Sequence, residues 1–435
     1  NLTLRLNGTV IGSATNATTV SATANLGTCE QVLTLEATNG STTLRDTISL
    51  FRPPTTYPTG ARPTGAGIRD GITFQNNGTQ ATFILYAPFK QSVMLVGDFN
   101  NWQQTCAGQM RRETDANGNF YYWTQITGLT PGQQYRFQYI VDDSIRIADP
   151  YSELVLDPNN DRFISASIYP DMPQYPTGRT PGGFVGVFTA GGDSFTWTDN
   201  NYVRPNKYNL NIYQLLMRDF TQAQSYQVLK DTLDYLQRLG INCIKLLPVN
   251  EFDGNNSWGY NPAYFFALDK AYGSKRAFKE FINEAHRRGI AVVIDAVLNH
   301  ATGNSPLAAM WWDRAQSRPA ANNPYFYEVA QHPFNVYNDF NHNVAPTRYH
   351  VERFIEYWLT EYKLDGFRWD LSKGFTVTNC GSDMTCWNAY SQGRIDIWQN
   401  YYNRMQAVSP GSYCILEHLA GDAEEYELAA RGMLL

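Results

Sequence analysis

Apolar and polar positions follow one period before about residue 170 and another after residue 207. Residues 1–54 and 69–168 contain short runs in which apolar residues alternate with polar ones, separated by Asn-Gly and other turn signals. Such runs are typical of antiparallel strands with one buried face. The pattern predicts a small, partial β domain over 1–54 and a β-sandwich over 69–168, each followed by a Pro- and Gly-rich connector.

Residues 207–435 alternate between short apolar runs and amphipathic stretches of helical period. Strands that alternate with helices and are apolar almost throughout are typical of a parallel sheet covered by helices. We count five βα units and a further helical start at the end of the chain, with a long loop, 301–348, after the third strand. The predicted strands lie in the runs LNIYQLLM, INCIKLLPV, IAVVIDAVLNH, LDGFRWDL and SYCILEHLA.

Charge and hydropathy argue against nucleic acid as a partner and against a transmembrane helix. The net charge is −6 and no basic run occurs, which argues against nucleic acid as a partner. No apolar run reaches the about 18 residues that a transmembrane helix requires. A chain of 435 residues is long enough for two or three domains.

The six cysteines follow neither a zinc-binding spacing nor a CxxC pattern. Cys243 and Cys414 lie in apolar runs, and we expect them to be buried thiols. Cys380 and Cys386 bracket the short polar segment CGSDMTC. Either a short disulfide or two free thiols fits that segment.

Polar residues stand where the last three predicted strands end. In parallel α/β folds these ends meet at one rim, which is where active sites form. Arg368 and Asp370 are two positions apart on a strand, so their side chains point the same way. The residues at the strand ends are Asp295, Asn299 and His300 after the third strand, Arg368 and Asp370 in the fourth, and Glu417 and His418 in the fifth.

Asp370 and Glu417 lie on neighbouring predicted strands, which places two carboxylates near each other. Strands about 4.8 Å apart can bring them to the about 5–5.5 Å separation of a retaining glycosidase. We expect Arg368 to lower the pKa of Asp370, and Glu417 to keep its proton beside a like charge and aromatic residues. The alternative is that Arg368 and Asp370 form an ion pair that only stabilises the strand ends.

Three short motifs resemble signatures of the α-amylase superfamily, glycoside hydrolase family 13. They are DAVLNH (295–300), GFRWD (366–370) and ILEH (415–418), and they occur in the family's order. The stretch LLPVNEF…SWGYNP (246–262) is similar to the family's second-strand region, and YNDFNH (337–342) to a weaker fifth signature. The resemblance covers about residues 207–435 and implies a TIM (β/α)8-type barrel, of which this chain contains about five βα units.

The resemblance also implies roles for individual residues. Asp370 would be the nucleophile, Glu417 the general acid/base, and Arg368 the group that keeps the nucleophile ionised. His300 would bind the sugar in the central subsite or be an ordinary core histidine. Four further residues are assigned to substrate binding or its support: Tyr260, which would stack under the sugar, Trp258, His418, and Asp295, which would support the site structurally.

Two further expectations come from the resemblance. Asn299 matches a residue that often binds a structural calcium ion in the family, and a hydrogen bond that shapes the loop is the alternative. VGDFNNW (96–102) resembles the start of the family 48 carbohydrate-binding module, in which Trp102 and Trp123 could stack on sugars or lie in the core. Calcium is thus the one cofactor that the resemblance suggests.

The family's fourth signature, which carries a third catalytic Asp, is absent together with strands six to eight. We therefore expect the natural protein to continue for three more βα units and a C-terminal β domain. The start at Asn1 also suggests a processed or cut chain. A stable, active monomer of 435 residues would contradict this expectation.

These observations favour a monomeric hydrolase that cuts α-1,4-glucans such as starch, glycogen and maltooligosaccharides with retention. A debranching, branching or transglycosylating enzyme of the same family and a non-catalytic glucan-binding protein remain alternatives. We expect a secreted or cell-surface location from the low charge, the high Asn, Thr and Tyr content and the polymeric substrate.

Overall fold

The computed structural model describes residues 1–435 and divides the chain into two compact units. The first unit comprises Asn1–Leu129 and Phe137–Arg146, and the second Thr130–Arg136 and Ile147–Leu435. No helix combines the length and the apolar content needed to cross a membrane.

Antiparallel sheets form the first unit. Strands β1 to β4 form one four-stranded sheet in the order β2-β1-β3-β4, and β5, β6, β9 and β8 form another in that order. Phe83 of β6 and Phe137 of β10 pack with ring centroids 5.4 Å apart. The strands up to residue 147 are β1 (Leu2–Leu6), β2 (Thr9–Ala14), β3 (Cys29–Thr38), β4 (Thr43–Arg52), β5 (Gly71–Gln75), β6 (Gln80–Tyr86), β7 (Val93–Gly97), β8 (Arg111–Thr114), β9 (Phe120–Thr127), β10 (Gln134–Val141) and β11 (Ile145–Ile147).

The cysteines form two disulfides and two buried thiols. Cys380 pairs with Cys386, which decides between the two alternatives that the sequence left open. Cys243 and Cys414 are free and buried, as predicted. The Cys29–Cys106 disulfide was not predicted, because 77 residues separate the two cysteines and no local pattern links them.

The second unit contains the remaining strands and all the α-helices. Its strands are β12 (Leu154–Leu156), β13 (Val185–Thr189), β14 (Ile212–Leu215), β15 (Cys243–Leu246), β16 (Asn250–Phe252), β17 (Pro262–Leu268), β18 (Ala291–Ala296), β19 (His300–Ala301), β20 (Trp312–Asp313), β21 (Arg318–Pro319), β22 (Asn338–Asp339), β23 (Gly366–Trp369) and β24 (Tyr413–Leu416). Its helices are α1 (Met217–Phe220), α2 (Tyr226–Asp231), α3 (Leu233–Arg238), α4 (Lys275–Arg287), α5 (Pro306–Ala309), α6 (Ala345–Glu361), α7 (Met384–Asn388), α8 (Gln392–Val408) and α9 (Asp422–Ala430).

A five-stranded parallel sheet organises this unit, in the order β14-β15-β18-β23-β24. These are the five strands that the apolar runs predicted. Gly366 opens β23 with φ +158°, and a Cβ there would overlap the backbone of Tyr413. Glycine at this position therefore lets β23 approach β24 closely.

One predicted helix is divided in the structure. The amphipathic stretch SYQVLKDTLDYLQRLG forms α2 and α3, which are separated at Thr232. The Thr232 hydroxyl donates a hydrogen bond to the Leu229 carbonyl at 2.8 Å. A Thr side chain that bonds back to the preceding turn competes with the regular helix, so its polar group explains the break.

Candidate active site

The sheet register brings four of the predicted site residues to one edge. Asp295 near the end of β18 pairs with Arg368 of β23, and Arg368 pairs in turn with Ile415 of β24. Asp370 directly follows β23, and Glu417 directly follows β24. The predicted rim of polar side chains is therefore formed at the carboxyl ends of three adjacent strands.

One guanidinium group joins the three carboxylates. Arg368 Nη1 donates to Asp295 Oδ1 and to Asp370 Oδ1, both at 2.8 Å. Arg368 Nη2 lies 2.8 Å from Glu417 Oε1. Asp370 and Glu417 therefore both contact the same guanidinium group, which keeps the two carboxylates near each other. A simple Arg368–Asp370 ion pair does not describe this arrangement.

Asp295, which accepts a hydrogen bond from Arg368, is fully buried. Its Oδ2 atom accepts a hydrogen bond from the Tyr260 hydroxyl at 2.8 Å and lies 2.9 Å from Lys245 Nζ. Lys245 also donates to Gln214 Oε1 at 2.9 Å. The sequence analysis missed Lys245, although a single Lys inside the apolar run INCIKLLPV was a signal, because a buried Lys requires a partner.

The pKa of Asp370 contradicts the sequence-based expectation. Its pKa is raised to about 7, chiefly by burial and then by the negative charge of Asp295, and Arg368 only partly opposes these effects. The expected lowering considered Arg368 as the partner of Asp370 alone. In the structure that cation is shared with Asp295 and Glu417, so its effect on Asp370 is divided.

Glu417 is the most exposed of the three carboxylates, with 34% of its side chain accessible. Its Oε2 atom accepts a hydrogen bond from the Leu371 backbone N–H at 2.9 Å. Leu371 has φ 43°, a left-handed conformation that turns the chain directly after Asp370. The turn thus links the position of Glu417 to that of Asp370.

His300 is buried beside the three carboxylates' strands and has one free ring nitrogen. Its Nε2 atom donates to the Tyr260 carbonyl at 2.8 Å, while Nδ1 has no hydrogen-bond partner. Burial lowers the pKa of His300 to about 4, so the ring is neutral near pH 7. The Tyr337 ring lies 5.7 Å from it and is largely exposed, as is Trp258, at 57%. Tyr337 was not singled out from the sequence.

His418 does not join this group. Its Nε2 atom donates to Glu424 Oε1 at 2.9 Å, and the Ser372 hydroxyl lies 3.0 Å from Nδ1. Both ring nitrogens are therefore engaged inside the protein, and the side chain is buried. The structure gives His418 the role of fixing the segment after Glu417 rather than an open face for substrate.

The two tryptophans of the β-sandwich differ in their surroundings. Trp102 is buried, and its indole N–H donates to Asp98 Oδ1 at 2.9 Å. Trp123 is partly exposed on β9, donates to the Gly60 carbonyl at 2.9 Å, and has the Arg111 guanidinium 5.4 Å from its ring centroid. Trp102 therefore has the surroundings of a core residue, and Trp123 keeps a partly accessible ring.

Two family models match the chain in the expected order. The α-amylase catalytic domain matches residues 214–344, and carbohydrate-binding module 48, the isoamylase N-terminal domain, matches residues 70–159. The catalytic-domain match includes the motif DAVLNH (295–300), whereas GFRWD and ILEH lie beyond it. Over these two ranges the chain is similar to the α-amylase catalytic domain and to the module that precedes it.

Named relatives are similar to this chain over part of its length. Malto-oligosyltrehalose trehalohydrolase of Saccharolobus solfataricus is 30% identical over 66% of this chain and 43% of its own length. The chloroplastic isoamylase SU1 of Zea mays is 28% identical over 72% of this chain and 43% of its own length. The chain thus spans less than half the length of these curated relatives.

Solved structures of the superfamily share the fold. A type I pullulanase of Bacillus subtilis complexed with maltose aligns with 96% of this chain and 57% of its own, with a TM-score of 0.61 and 19% identity. This likeness confirms the predicted fold class. The open five-stranded sheet corresponds to the βα units of a TIM-type barrel, preceded by β-sheet domains.

Calcium, which the superfamily implies at Asn299, does not fit the atoms around that residue. Asn299 is buried and its side-chain amide has no hydrogen-bond partner. The nearby groups are Oδ1 of Asp339, also without a hydrogen bond, and the imidazole of His332 at 3.4 Å from it. Ca²⁺ takes about 6–8 oxygen ligands from carboxylates, carbonyls and water, whereas the His332 imidazole beside Asp339 Oδ1 offers only nitrogen.

Proposed function

We propose that this chain carries the catalytic carboxylates of a retaining glycoside hydrolase that acts on α-1,4-glucans. The observation that carries the proposal is the single Arg368 guanidinium that joins Asp295, Asp370 and Glu417 at the strand ends. Most glycosidases use two carboxylates that flank the cleaved bond, one on the side of the anomeric carbon and one beside the leaving oxygen. Because the relatives are longer than this chain, the proposal concerns the activity of the whole natural protein.

Asp370 and Glu417 would carry out the cleavage in two steps. In the first, an Asp370 oxygen attacks the anomeric carbon while Glu417 donates its proton to the glycosidic oxygen, so the aglycone leaves as an alcohol. In the second, the Glu417 carboxylate takes a proton from water, whose oxygen displaces Asp370. Two inversions give net retention. Arg368 keeps both carboxylates oriented throughout.

The surrounding groups support a sugar substrate. The unpartnered Nδ1 of His300 is an acceptor for a sugar hydroxyl, and Tyr260 is fixed by its hydrogen bond to Asp295. Trp258 and Tyr337 present exposed aromatic surfaces, which stack well on pyranose faces. We assign binding of an α-glucan to these four residues.

A second candidate function uses the same intermediate. If a sugar hydroxyl replaces water in the second step, the enzyme is a transglycosylase, and if the cleaved bond is α-1,6, it is a debranching enzyme. The relative named isoamylase favours this alternative. A binding protein without turnover is favoured less, since Arg368, Asp370 and Glu417 are all present.

Proton NMR of maltoheptaose cleavage by the natural full-length protein tests the proposal. We expect the first-formed reducing ends to be α-anomers, because the covalent route retains configuration. Chromatography of products from amylose and pullulan separates α-1,4 from α-1,6 cleavage and hydrolysis from transfer. First-formed β-anomers would contradict the retaining mechanism, and bound glucan without products would favour the binding protein.

The pH dependence of kcat/KM is expected to follow the ionisation of Asp370. Only the carboxylate attacks, so the acidic limb of kcat/KM should lie near 7, the raised pKa of Asp370. Asp295→Asn removes a neighbouring negative charge and should move this acidic limb to lower pH. Asp396→Asn, an exposed change on α8, should leave the limb in place. An identical limb in Asp295→Asn would exclude Asp370 as the titrating group.

We also propose where the protein acts and in what state. Disulfides at Cys29–Cys106 and Cys380–Cys386 support an oxidising compartment, in line with a secreted or cell-surface enzyme. A monomer is the state that we propose for it.

A further inference from the structure

Five buried polar atoms without a hydrogen bond belong to Asn299, which follows β18, and to two residues of the loop 301–348. They belong to three side chains, all nearly inaccessible to solvent. Buried polar groups are almost always paired, so a concentration of unpaired ones requires an explanation. The atoms are Oδ1 and Nδ2 of Asn299, Nδ1 and Nε2 of His332, and Oδ1 of Asp339.

Three separate chain segments meet at these atoms. Asn299 follows β18, and His332 and Asp339 lie in the loop 301–348. Gly374 follows β23, and a Cβ at that position would overlap Oδ1 of Asn299 and lie 3.0 Å from Nε2 of His332. The glycine thus leaves the space that brings the amide and the imidazole together.

The imidazole is held in a defined orientation. The His332 ring stacks on the Trp387 ring with centroids 5.7 Å apart and planes at 21°. Its Nε2 atom points to Oδ1 of Asp339 at 3.4 Å. The other oxygen of Asp339, Oδ2, accepts the Gln331 backbone N–H at 3.0 Å. The carboxylate therefore turns one oxygen to the loop backbone and the other to the ring.

We propose that the His332 imidazole takes the place of the structural calcium ion implied by the superfamily, so that this loop is fastened without a metal. The ring lies 3.4 Å from Asp339 Oδ1 at its Nε2 atom, and the same nitrogen adjoins the space beside Gly374 into which Asn299 Oδ1 projects. It presents nitrogen, which a hard cation such as Ca²⁺ does not favour.

The cluster of Asn299, His332 and Asp339 also positions the loop that reaches the active site. Next to the cluster, the Phe340 backbone N–H donates to the Asn299 carbonyl at 2.9 Å, and Cys380 N–H donates to the Gln331 carbonyl at 2.8 Å. Tyr337, whose ring contacts His300, lies between His332 and Asp339 in sequence. The cluster therefore holds the loop that carries Tyr337 to the strand ends that carry Arg368 and Asp370.

Metal content and thermal unfolding test this inference without measuring activity, so its failure is distinct from failure of the proposed function. Elemental analysis of the purified protein should find far less than one equivalent of any divalent metal. EDTA and millimolar Ca²⁺ should both leave the Tm unchanged. A stoichiometric bound metal, or a Tm several degrees lower in EDTA, would overturn the proposal.

Substitutions of His332 give a second, independent test of the inference. His332→Asp replaces nitrogen by carboxylate oxygen, and we expect it to acquire a Tm that rises by several degrees with Ca²⁺ and falls again with EDTA. His332→Ala should lower the Tm. The control is His350→Asp, because His350 is equally buried with both ring nitrogens unpartnered but belongs to an aromatic cluster elsewhere. Equal Ca²⁺ responses in both Asp variants, or a His332→Ala protein as stable as the parent, would contradict the proposal.

Discussion

Asp370→Asn is expected to abolish glucan turnover while leaving glucan binding close to that of the parent protein. The amide cannot form the covalent ester with the anomeric carbon, so the loss should exceed the about 10²–10⁴-fold that removal of a general acid–base typically costs. Asn is nearly isosteric with Asp, and Arg368 keeps its bonds to Asp295 and Glu417. The measurements are kcat/KM on maltoheptaose and the Kd of the same sugar by calorimetry.

The control for this variant is Asp396→Asn, the same chemical change at an exposed position on α8. It should leave kcat/KM unchanged. A second test uses Asp370→Ala with azide as an external nucleophile and an α-glucosyl fluoride as substrate. Attack by azide in the vacated space should yield the β-glycosyl azide. An Asp370→Asn protein within about tenfold of the parent, a difference of only about 1.4 kcal/mol in barrier, would show that another group is the nucleophile.

The strand ends could be predicted from sequence because their geometry is local. A short apolar run fixes a buried parallel strand, and the residue that follows it must lie at the carboxyl edge of the sheet. The positions of Asp295, Arg368 and Glu417 at neighbouring strand ends could therefore be predicted from the sequence. The period of the pattern also gave the order of the five βα units.

Features that depend on distant contacts were missed. Lys245 supports Asp295 from a neighbouring strand, and only the sheet register shows which carboxylate this lysine meets. The pKa of Asp370 was assigned in the wrong direction because burial and the sharing of Arg368 are properties of the packed site. The meeting of Asn299 with His332 is likewise set by the path of a long loop, which follows no repeating pattern.

Replacement of Glu417, the second carboxylate, is expected to have the other large effect on activity. Glu417→Gln should lower kcat/KM for maltoheptaose by about 10²–10⁴-fold, the usual contribution of a general acid–base. The amide cannot protonate the glycosidic oxygen, although it can still accept the Leu371 N–H through its carbonyl oxygen. The site should therefore keep its geometry and its affinity for glucan.

The dependence on the leaving group distinguishes loss of the acid from general damage. A glycosyl fluoride needs little protonation to depart, so Glu417→Gln should form the glycosyl–Asp370 intermediate from it and accumulate that species, which mass spectrometry of the intact protein would detect. Added azide needs no general base and should release the intermediate as the α-glycosyl azide. The control Glu427→Gln, on the exposed side of α9, should behave like the parent on both substrates. If Glu417→Gln formed the glycosyl–Asp370 intermediate from the fluoride no faster than from maltoheptaose, Glu417 would act by holding Arg368 in place rather than by transferring a proton.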